Sequence, residues 1–80
     1  MQLKILFFGI VRDIVGENSI DLDVDTNISV VNMQQILKKE YSGLTDIENY
    51  AIAVNEEYVS EEYKLNDNDV VAIIPPVSGG

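Results

Sequence analysis

Eighty residues suffice for one domain around one modest hydrophobic core. Hydrophobic residues make up 46% of the chain, so folding needs no metal or disulfide, and the absence of cysteine and histidine excludes thiolate sites, cysteine nucleophiles and the commonest general base. Fourteen acidic residues face five basic ones, and a net charge of -9 repels phosphate backbones and anionic membranes while suiting a basic protein surface.

Leu3 to Phe8 reads as a strand, rich in apolar and aromatic residues. That run is too short for a signal peptide and lacks a cleavage site. No stretch approaches the roughly 20 apolar residues of a membrane helix. We expect a cytoplasmic protein that binds neither nucleic acid nor membrane. Gly9 ends the strand, and Ile10 to Val15 reads as one short helical turn closed by Gly16. Ile20 to Asp25 alternates apolar and acidic residues, the pattern of a strand with one wet face, pairing antiparallel with the first. Asp21, Asp23 and Asp25 start like a calcium loop, but Thr26 and Asn32 stand where its glycine and glutamate belong. They read as a solvated edge-strand face. Asn27-Ile28-Ser29 matches a glycosylation sequon, without a secretory signal to give it meaning.

Ser29 to Ser42 is the one main helix. Ser29 suits the N-cap, Ile28 and Met33 stand at staple positions, and Val30, Met33, Ile36, Leu37 and Tyr41 form one apolar stripe. Lys38 and Lys39 complement the last turn, and Gly43 is placed to take the left-handed conformation after it. Ala51 to Val54 and Tyr58-Val59 are short strands around a turn at Asn55 to Glu57. Asn68 sits in a turn cluster where positive φ is tolerated. Val70 to Ile74 is apolar throughout and reads as a central strand covered on much of both faces. Pro75-Pro76 then stops the sheet.

This order predicts an α+β fold of the ubiquitin-like β-grasp type: a mixed sheet of four to five strands with one main helix across one face. The first and last strands lie parallel in the middle. We expect a domain over residues 1–74 and a tail over 75–80.

No nucleophile–base pair is visible in the side chains, which argues against an independent enzyme. The tail is different. The prolines stiffen its base, Gly79 and Gly80 fit a channel too narrow for other residues, and the terminal carboxylate follows Gly80 unobstructed. Six extended residues reach about 20 Å. Strand parity puts Leu3, Ile5 and Phe7 under the helix, leaving Leu6 and Phe8 beside Lys4 on the uncovered face. Ile74 and Tyr58 fall near them, at the root of the tail.

The chain resembles the family of molybdopterin synthase small subunits. The resemblance runs nearly its whole length, through Leu6-Phe7-Phe8-Gly9-Ile10-Val11-Arg12-Asp13 with Gly16, Ala53-Val54-Asn55, Tyr58-Val59, and above all Leu65 to Gly80 with its Pro75-Pro76-Val77-Ser78-Gly79-Gly80 ending. The family usually has glycine where Asn68 stands. The resemblance implies a sulfur shuttle. An E1-like adenylyltransferase uses ATP to activate the Gly80 carboxylate, a sulfur donor converts it to a thiocarboxylate, and the large synthase subunit receives the tail and passes sulfur to a cyclic pyranopterin. It implies a heterotetramer of two small and two large subunits, with the catalytic residues on the large one and no cofactor on this chain. Phe8, Leu6, Tyr58 and Ile74 would dock on the large subunit, with Pro75, Pro76, Val77 and Ser78 leading Gly79 and Gly80 into its site. A thiamine-pathway sulfur carrier, a ubiquitin-like protein modifier and a non-catalytic interaction module are the competing readings.

Overall fold

A computed structural model of the chain describes residues 1–76. In chain order its elements are β1 (Gln2–Phe7), α1 (Gly9–Val15), β2 (Ser19–Asp23), α2 (Val30–Glu40), a 3-10 turn at Ile47–Asn49, β3 (Ala51–Val54), β4 (Glu57–Tyr58) and β5 (Val70–Ile74). The five strands form one mixed sheet in the order β2-β1-β5-β3-β4. β1 pairs antiparallel with β2 and parallel with β5, and β3 pairs antiparallel with both β5 and β4. The central parallel pair, with α2 packed across one face, is the β-grasp arrangement expected from the order of elements.

Alternation along β1 decides which face meets α2. Leu3, Ile5 and Phe7 are at most 2% exposed, and they pack with Val30, Met33 and Leu37 of α2 and with Val71, Ile73, Ile52 and Val54 of the neighbouring strands. Full burial of such a side chain is worth roughly 1.5–3 kcal/mol. A one-residue slip of β1 would exchange these three for Lys4, Leu6 and Phe8, so the register is firmly specified. Ser29 is the N-cap of α2, its Oγ accepting a hydrogen bond from the Asn32 amide at 3.3 Å.

Four expectations are corrected. The main helix ends at Glu40 with Tyr41 as its cap, not at Ser42. Gly43 is absent from the glycines with positive φ. Space is the reason for a glycine there: a Cβ on it would lie 2.6 Å from Ile14 Cγ2. The segment after β1 is a seven-residue helix rather than one turn, closed by Gly16, whose amide donates to the Arg12 carbonyl at 2.8 Å. β5 is not covered on both faces: Val71 and Ile73 are buried, while Val70 is exposed and Ala72 and Ile74 are half-buried. β5 reads as continuously apolar because its second face is apolar without being covered by the domain itself.

Candidate functional site

The sheet face turned away from α2 follows from strand pairing. Leu6 stands opposite Ala72, Ala72 opposite Ala53, and Ala53 opposite Tyr58, so one row crosses four strands on this face. The next row towards the tail sets Ile74 against Ala51, and the row on the other side sets Val70 against Lys4. Phe8 follows β1 and is 47% exposed. Leu6, Phe8, Val70 and Ala72, together with Asn55 and Glu56, line an open concavity of about 530 Å³. Among the residues singled out from sequence, the fold therefore brings Leu6 and Phe8 onto one concave surface. Ile74 lies on the same face next to Pro75. Tyr58, 73% exposed, stands at the far edge strand and does not line the concavity. Pro75 is half-buried and Pro76 exposed. Val77, Ser78, Gly79 and Gly80 lie outside the described residues.

Sequence reasoning missed Val70, Ala72, Asn55 and Glu56. The first two belong to a strand whose all-apolar run reads as covered. The last two form a two-residue hairpin turn with φ of 50° and 73° at Asn55 and Glu56, and no pattern in their neighbourhood signals that it borders the concavity. Asp69 fixes that turn. Its carboxylate, in a residue only 6% exposed, accepts from Asn55 Nδ2 at 2.9 Å and from the Asn66 amide at 2.8 Å. Asn55 Oδ1 in turn accepts from the Val70 amide at 3.0 Å. These bonds tie the hairpin to the start of β5, so one wall of the concavity is held by hydrogen bonds centred on the buried Asp69 carboxylate.

This face, concave and lined largely by apolar side chains, is suited to recognising a partner. Among the described residues no three acidic side chains are grouped to hold a metal ion. Among the described residues, the two groups with displaced pKa values lie elsewhere. The Glu48 carboxyl is held below its ordinary value, first by its own backbone amide and then by Lys38, and burial raises the Tyr41 hydroxyl. Among the described residues no helix is long and apolar enough to cross a membrane.

The sheet order with its central parallel pair and crossing helix places the domain in the class of ubiquitin-like β-grasp proteins. The chain belongs to the ThiS family, whose model matches residues 5–80. It is 44% identical to the molybdopterin synthase sulfur carrier subunit of Dictyostelium discoideum, over 99% of this chain and 96% of that one. It is 30% identical to small archaeal modifier protein 3 of Haloferax volcanii over the full length of both. Among solved structures, it superimposes with a TM-score of 0.72 and 25% identity on a chain of the complex of subunits 1 and 2 of molybdopterin-converting factor from Helicobacter pylori, covering 100% of each.

Proposed function

We propose that this chain carries sulfur on the C-terminal carboxyl of Gly80 and delivers it in molybdenum cofactor biosynthesis. An adenylating enzyme of the E1 type transfers AMP from ATP to the carboxylate, releasing pyrophosphate. A sulfide-level donor displaces AMP and leaves a thiocarboxylate. The large subunit of molybdopterin synthase receives the tail from Pro75 to Gly80, and sulfur passes to a cyclic pyranopterin while water restores the carboxylate. The complete synthase is a heterotetramer of two small and two large subunits. Leu6, Phe8, Ile74 and, at the edge, Tyr58 form the docking face. This chain binds no cofactor and supplies no side-chain catalyst. The observation that carries the reading is a match over 99% of the chain to a named sulfur carrier, with a family model that runs to Gly80, in a chain with neither cysteine nor histidine.

The test is reconstitution. Incubated with ATP, the adenylating enzyme and a sulfur donor, the chain gains the mass that comes from exchanging one carboxyl oxygen for sulfur. Mixed with the large subunit and the pterin, it loses that mass as the dithiolene forms. A second reading, isopeptide linkage of Gly80 to lysines, is favoured by the archaeal modifier relative. It predicts a stable lysine adduct and no sulfur in the pterin.

A further inference from the structure

Two glycines among the described residues have left-handed φ, Gly9 at +54° and Gly16 at +85°. Gly16 is explained by its place as the C-cap of α1, and a Cβ there would meet nothing within 4 Å. Gly9 is different. A Cβ on Gly9 would stand 3.2 Å from Pro75 Cγ and 4.0 Å from Pro75 Cδ. β1 and β5 are parallel neighbours with Phe7 opposite Ile73, so both chains leave the sheet at the same end, side by side. Pro75 has no amide hydrogen to bond there, and its position depends on how its ring packs. The surface it packs on is bare Gly9 backbone.

We infer that Gly9 is a positioning residue for the root of the tail: its missing side chain makes the seat for the Pro75 ring, and that seat sets where Pro75 and Pro76 lie beside the docking face. The geometry stands by itself, and only the kinetic readout below rests on the sulfur-carrier reading. Phe8, next to Gly9, belongs to the concave face, so the seat links docking face and tail within two residues. Displacements of even 1 Å at a reacting group can cost about a hundredfold in rate, so a small shift of the Pro75 ring has a kinetic readout.

Gly16 supplies a matched control, because Gly9→Ala and Gly16→Ala both force alanine into positive φ and only the first meets the tail. The decisive experiment places a nitroxide on Ser78→Cys, in a chain with no other cysteine, and maps paramagnetic broadening of the domain's amide signals. Gly9→Ala redistributes the broadening, and Gly16→Ala leaves it as in the parent. In sulfur loading and transfer, Gly9→Ala lowers kcat at least about tenfold with little change in Kd for the large subunit. In a Pro75→Ala background the same substitution adds almost nothing, since the ring it strikes is gone. Thermal unfolding, with comparable losses for both alanine variants, separates strain from positioning. An unchanged broadening map in folded Gly9→Ala overturns the seat, as does a Gly9→Ala rate loss of equal size with and without the Pro75 ring. Failure of the parent chain to acquire sulfur counts against the carrier reading alone, and the nitroxide map still decides the seat.

Discussion

Replacing Phe8 with alanine distinguishes a docking residue from a core residue. Phe8 is 47% exposed, whereas its neighbour Phe7 is 2% exposed. A phenylalanine offers about 200 Å² to burial, so about 90 Å² of Phe8 remains for a partner to cover. At about 25 cal/mol per Å², covering it is worth roughly 2 kcal/mol. Phe8→Ala should therefore weaken the complex with the large subunit about thirtyfold. The free domain should lose only about 1 kcal/mol, because truncation on the open face leaves no closed cavity. Phe7→Ala, by contrast, empties core volume and should cost about 3–5 kcal/mol. Titration calorimetry gives the first quantity, and denaturant unfolding of the free domain gives the other two. If Phe8→Ala destabilises the domain as Phe7→Ala does, and binding falls only with the folded fraction, then Phe8 is core and the docking face is misassigned.

Two further substitutions test the tail and the wall of the concavity. Gly79→Ala adds a methyl and narrows φ next to the reacting carboxyl. It should slow loading or transfer while the melting temperature stays within about 4 °C of the parent, the shift that about 0.5 kcal/mol makes in a domain of this size. Kinetics equal to the parent would show that no narrow channel exists at that point. Asp69→Ala leaves Asn55 Nδ2 and the Asn66 amide without their acceptor and should cost about 1–3 kcal/mol. Asp69→Asn should recover part of that loss, as unfolding measurements on both variants will report.

The parts of the fold legible in the sequence are those set by local periodicity. The alternation in β1 and β2 and the Ser29 cap follow from spacing, although β2 ends at Asp23 rather than Asp25; of the stripe Val30, Met33, Ile36, Leu37 and Tyr41, three are buried on α2, Ile36 is half-buried and Tyr41 caps the helix. What was not legible depends on contacts between distant residues. Gly43 resembles any helix-ending glycine, and only the approach of Ile14 reveals that volume is what selects it. Gln34 interrupts the apolar stripe yet is 4% exposed, donating from Nε2 to the Ile47 carbonyl at 3.2 Å; that partner opens the 3-10 turn thirteen residues away. Asp69 sits in an acidic turn cluster of ordinary appearance, and its partner Asn55 lies fourteen residues away in the β3–β4 turn. At the candidate site, parity singled out Leu6 and Phe8. Val70 and Ala72 escaped because an all-apolar strand gives no alternation to read, and Tyr58 was set nearer the concavity than its edge-strand position allows.

The central claim is that the Gly80 carboxyl is the one group on this chain that carries sulfur. The most direct measurement compares the intact chain, a chain lacking Gly80 and a chain extended beyond Gly80, each incubated with ATP, adenylating enzyme and sulfur donor, and then with large subunit and pterin. Intact-mass spectrometry follows loading, and dithiolene formation follows delivery. The account predicts that the intact chain gains sulfur at its C-terminal residue and delivers it. It predicts that both altered chains keep the fold, as judged by unchanged melting, but neither gain nor deliver sulfur. Sulfur delivery at the intact rate by the chain lacking Gly80 would contradict it.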